Sequence, residues 1–129
     1  MRYSKFASVI ALVCAMAFGV PCVANETSSF DFSRDVFQVL RRSCFECHRH
    51  EKQEGGLRLD EKASVFDSSV IEAGNPDASE IVRRIVLPKN HDEVMPVIGD
   101  PLTKREVSTI RARIANGAAW PDEFQPPTH

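Results

Sequence analysis

From Asp31 onward the chain reads DFSRDVFQVLRRSCFECH, with Val36, Phe37, Leu40 and Cys44 falling on one side of a helical wheel. That spacing keeps a single face apolar and predicts a helix from about residue 33 to 43. Asp31 or Ser33 is placed to cap it by accepting backbone N–H groups. Arg41 and Arg42 fall in its last turn, where positive charge suits the helix dipole. A second apolar stripe, Ile81, Val82, Ile85 and Val86, runs through GNPDASEIVRRIV. Pro76 suits the first turn of that helix, Asp77 with Glu80 has the spacing of a capping box, and Pro88 stops it. The third stripe is Val107, Ile110 and Ile114, in a helix opened by the capping-box pair Thr103 and Glu106 and running through Ala115. Asn116-Gly117 supplies its end.

The intervening stretches lack such periods. Arg49 to Ser69 is charged and broken by a Gly55-Gly56 turn, although LRLD (57–60) alternates so that Leu57 and Leu59 both face inward. Residues 88–101 hold Pro88, Pro96 and Pro101 with no periodicity, and read as an irregular loop. Trp120 is expected to fold back onto the core. No stretch reads as a strand, so the expected class is all-α: about three short helices with long loops.

The N-terminus has a different character. Arg2 and Lys5 precede an apolar or small run from Phe6 to Val20, followed by Pro21 and Cys22-Val23-Ala24. This is the anatomy of a secretory signal peptide cleaved after Ala24. Its rivals are an uncleaved anchor, since Phe6 to Ala24 is 19 uncharged residues and near spanning length, and a lipoprotein signal at Cys22, which Pro21 suits badly. The expected organisation is a leader at 1–24, a tether at 25–31, the folded domain at 32–121 and a flexible tail at 122–129. The protein is then exported, periplasmic or otherwise extracytoplasmic, and membrane-bound only if the leader is retained. Of the 16 basic residues, Arg2 and Lys5 leave with it; 14 then face 18 acidic ones, and the formal charge falls from −2 to −4. A mildly acidic surface argues against nucleic acid as a partner. Two of the 4 cysteines, Cys14 and Cys22, leave as well, which removes any two-disulfide framework. Met1 and Met16 also go, making Met95 the sole methionine of the mature chain.

What remains is Cys44-Phe-Glu-Cys47-His48. A disulfide between the two cysteines would close a very small loop and restrict the unfolded chain little. A thiol-exchange pair would sit at a helix N-terminus, whereas this pair follows a helix. Zinc has Cys44, Cys47, His48 or His50, and His91 to draw on. Adjacent residues seldom converge on one tetrahedral ion, however, and only His91 and His129 lie downstream. Haem attachment makes the demand the string meets best: both thiols form thioethers and the next imidazole, His48, ligates the iron. The export signal agrees with that chemistry. For a sixth ligand the candidate is Met95, a soft thioether in the proline-stiffened loop, with His91 as runner-up and ordinary core filling as its alternative role. His50 is too near His48 to reach the opposite face, and His129 is at the chain end. Lys52, Arg58 and Lys89 are candidates to pair with haem carboxylates, although such residues are ordinarily solvated.

The segments DVFQVLRRSCFECH, GGLRLDEKAS, GNPDASEIVRRI and MPVIGDPLTKREVSTIRARIANGAAWP stand in the order found in the class I-type cytochrome c domain, and the chain more closely resembles the planctomycete-type cytochrome c domain. The resemblance spans roughly residues 32 to 121. It implies one covalent haem c on Cys44 and Cys47, axial ligands His48 and Met95, and a small cytochrome c-like fold whose first and last helices cross. It also implies a one-electron carrier between redox partner proteins, and no nucleophile–base constellation suggests catalysis. The alternatives are a haem-based sensor with an open sixth site and a Cys/His zinc-binding module. The chain departs from the family in having Arg49 and His50 after His48, and VFDSSVIEAG as a shortened glycine-rich stretch. Arg113 replaces the usual tryptophan of the last helix, and MPV replaces MPP. No proline follows His48 before Pro76, so the carbonyl that commonly holds the proximal imidazole must come from elsewhere.

Overall fold

Helix formation starts at Asp31. Its carboxylate accepts the Ser33 and Arg34 N–H groups at 2.9 and 3.2 Å, while Asp35 accepts the Asp31 N–H at 3.0 Å. Donors that no helical carbonyl can reach are thereby satisfied. The computed structural model describes residues 31–122 and residue 124. The expected leader, most of the tether and most of the tail, including His129, lie outside those residues.

A π-helical turn, Phe32–Val36, leads directly into α1, Phe37–Ser43. The chain then turns and forms a short antiparallel pair, β1 (His48–Arg49) with β2 (Lys52–Gln53), in which His48 stands opposite Gln53. A 3-10 turn, Glu54–Gly56, follows; Gly55 and Gly56 take φ of +64° and +73°, which glycine adopts without a Cβ clash. Next come α2 (Lys62–Asp67), a 3-10 turn Pro76–Ala78, α3 (Glu80–Ile85) and α4 (Lys104–Ala115).

The helical class agrees with the sequence reading, and the differences have local causes. A strand pair is present where no strand was expected, because a four-residue-wide hairpin offers no alternating run to detect. The helix α2 was also unforeseen: Val65 is its one buried residue, too few for a stripe. Asp77 and Glu80 do not form a capping box. Asn75 caps the 3-10 turn instead, accepting the Ala78 N–H at 3.2 Å, and Glu80 turns to Arg83 and Arg84. Val86, expected in the buried stripe, is 55 % exposed because α3 has already ended at Ile85.

The core gathers Val36 and Leu40, Leu59 and Val65, Ile81, Val82 and Ile85, and Ile110 and Ile114. The π-helical turn and α1 meet α4 across it: Arg42 pairs with Glu106 at 2.7 Å, and the Arg113 guanidinium lies 5.6 Å from the Phe32 ring centre. Arg113, standing where the resemblance expects tryptophan, thus keeps an aromatic neighbour and also donates to the Ala119 carbonyl. Trp120 does fold back, 4.8 Å from Phe32 between ring centres. Buried Ser79 is satisfied by donating to the Asn75 carbonyl and accepting the Glu72 N–H, both at 2.9 Å. Among the described residues no helix is long and apolar enough to cross a membrane.

Candidate functional site

The helix α1 ends one residue before Cys44, so its axis carries the first cysteine to the core edge. The Cys44 carbonyl then accepts two N–H groups, from Cys47 at 3.1 Å and His48 at 2.9 Å. Both bonds close one tight turn that brings Cys44, Cys47 and His48 together. The turn is held on its far side too. The Cys47 carbonyl accepts the Glu54 N–H at 3.0 Å, the His48 carbonyl accepts the Leu59 N–H at 2.9 Å, and the His50 N–H donates to Asp60 at 3.1 Å.

Asp60 is itself fixed by Arg58, whose guanidinium donates to both carboxylate oxygens at 3.0 and 3.2 Å. Burial works against ionisation of Asp60, yet the Arg58 and His50 hydrogen bonds keep its carboxyl below the ordinary range. This clamp on the segment after His48 is a site feature the sequence showed only as charge. Arg58 is therefore committed to Asp60 and Glu61, and Lys52 lies 3.6 Å from Glu54, rather than either standing free for an added carboxylate.

Both thiols are free. Burial pushes the Cys44 thiol up to about 12, outweighing the opposing field of Arg42. An exchange-active thiol needs the opposite shift. Lys52 Nζ lies 3.8 Å from Cys47 Sγ, a contact the sequence did not foretell. His48 is half-buried, and its buried Nδ1 has no hydrogen-bond partner among the described residues. An imidazole so placed is held by its backbone and neighbours rather than by a bond to its own ring.

Met95 is half-buried and packs against the same hydrophobic core as Cys44. Its N–H donates to the Arg84 carbonyl at 3.2 Å, tying the loop to the end of α3. Val97 and Ile98, immediately beyond, are 69 % and 66 % exposed, so the loop offers apolar side chains to the outside as well. His91, the runner-up, is exposed and its Nδ1 accepts the Glu93 N–H at 3.1 Å. His50 is exposed, and His129 lies outside the described residues. No group of three or more His, Cys, Asp and Glu side chains gathers to hold a metal among the described residues, so the four-ligand zinc set is not assembled.

The donor set fits a c-type haem: two free thiols on one turn, an imidazole beside them and a thioether on the same core. Residues 44–96 match the family model described as Planctomycete cytochrome C. The match starts at Cys44 and ends just past Met95, leaving α1 and α4 outside it. Neither the curated proteins nor the solved structures give a match.

Proposed function

We propose, from the match of residues 44–96 to the family model described as Planctomycete cytochrome C, that the protein is an exported monohaem c-type cytochrome carrying single electrons between redox partner proteins. The observation that supports this most is the single turn holding Cys44, Cys47 and His48 within the matched stretch.

In this reading Cys44 and Cys47 would hold the haem through thioethers, and His48 and Met95 would be the side chains that ligate its iron. The haem supplies an iron that gains and loses one electron. The chain's own part is to keep the ligand geometry the same in both oxidation states. The backbone bonds from Glu54, Leu59 and the Cys44 carbonyl fix the turn, so His48 need not move. The core fixes Met95 through its packing and through Arg84. A soft thioether favours the reduced iron and sets a higher potential than two imidazoles would. The reading assigns the protein no catalysis of its own. It puts the protein outside the cytoplasm, where such attachment is made.

The test is the absorption spectrum of the matured protein and of Met95→Ala. A low-spin ferric spectrum with a weak far-red band, lost in Met95→Ala, supports the carrier. A high-spin resting spectrum with ready carbon monoxide binding would support a sensor with an open sixth position, and loss of the band in His91→Ala instead would move the ligand to His91.

A further inference from the structure

A cleft of about 610 Å³ lies between α1 and α4, and none of Cys44, Cys47, His48 and Met95 lines it. That is the size of a small-ligand site rather than of a single water. Arg34, Arg41 and Arg42 line it from the first helical segments and Arg105 from α4; Asp35 and Glu106 supply the opposing carboxylates. Four guanidinium groups against two carboxylates leave two positive charges in surplus, on a chain whose formal charge is −2. The pairing is also specific. Arg34 bonds Asp35 at 3.0 Å and Arg42 bonds Glu106 at 2.7 Å, while Arg41 and Arg105 make no ion pair among the described residues. The two uncommitted guanidinium groups thus face one cleft from two different helices. Guanidinium forks match the oxygens of phosphate and carboxylate groups, and two of them match a ligand with two negative charges.

We infer that the α1–α4 cleft binds a small dianion carrying phosphate or carboxylate oxygens, with Arg41 and Arg105 as its principal contacts. The inference does not rest on the haem reading, because the cleft is built from other residues. Backbone amide shifts of the full matured protein, titrated with pyrophosphate and separately with succinate, test it. Sodium chloride at matched ionic strength serves as the control. Saturable shifts confined to residues 34–42 and 103–109 with either dianion are expected, and which dianion acts tells phosphate from carboxylate recognition. Arg41→Gln/Arg105→Gln should weaken binding about tenfold or more, since two charge-assisted contacts are lost. Lys89→Gln, outside the cleft, should leave it unchanged. Both arginines are exposed, so the substitutions leave the fold intact, and unchanged chemical shifts elsewhere verify it. Shifts no larger than those with chloride, or binding equal in the double variant, overturn the inference.

Discussion

A buried polar atom left without a partner costs on the order of 1–3 kcal/mol, and His48 Nδ1 is such an atom. On the proposed reading, an imidazole without an acceptor on Nδ1 would be a less basic ligand and would raise the reduction potential beyond the effect of Met95. Replacing Met95 by His should accordingly lower the midpoint potential measured by redox titration, whereas an unchanged potential would remove Met95 from the iron. The two thiols should differ as well. In protein made without haem attachment, Cys47 beside Lys52 should alkylate faster than Cys44, whose thiol burial has pushed to about 12. Peptide mapping after brief iodoacetamide treatment reads the ratio, and equal labelling contradicts it. At this scale the sequence was informative: cysteine spacing and the scarcity of methionine are local facts. The Asp60 clamp was not legible, because Asp60 reaches His50 only after the chain has turned back.

Helix ends follow the same division. Thr103 and Glu106 form the expected capping box: the Thr103 hydroxyl oxygen accepts the Glu106 N–H at 3.3 Å and Glu106 accepts the Thr103 N–H at 2.8 Å. Thr103→Ala should cost about 1 kcal/mol by denaturant unfolding. Glu106 also receives Arg42, and chiefly that bond lowers its carboxyl to about 2, against burial and with help from Thr103. A carboxyl whose folded value lies below its ordinary 4.5 stabilises the fold fully above pH 4.5 and progressively less as pH falls toward 2. Glu106→Gln should flatten the acid limb of the stability curve in that window, and an unchanged limb would contradict the pairing. The boxes legible in the sequence were those in which cap and helix are continuous. At Asp77 and Glu80 a 3-10 turn intervenes, so Asn75 takes the cap and the two arginines take Glu80. The helix α2 escaped notice because one buried valine carries no period.

Across the whole molecule the core is small, and Ile114 and Val65, each 1 % exposed, are its most deeply buried apolar side chains among the described residues. Ile114→Ala should cost about 2–5 kcal/mol, read from the denaturation midpoint. A core of this size gains from any large apolar group built into it, so protein matured with haem should melt at a higher temperature than protein lacking it. The cleft between α1 and α4 could not be read from the sequence, since its unpaired arginines, Arg41 and Arg105, stand 64 residues apart and only the fold brings them to one cleft. The central claim, haem bound through Cys44 and Cys47, is tested most directly by the mass and haem stain of the matured protein on a denaturing gel. The account predicts a band that stains for haem and weighs one haem more than the polypeptide, with both signals lost in Cys44→Ala/Cys47→Ala. A colourless band at the polypeptide mass, with two free thiols, would contradict it.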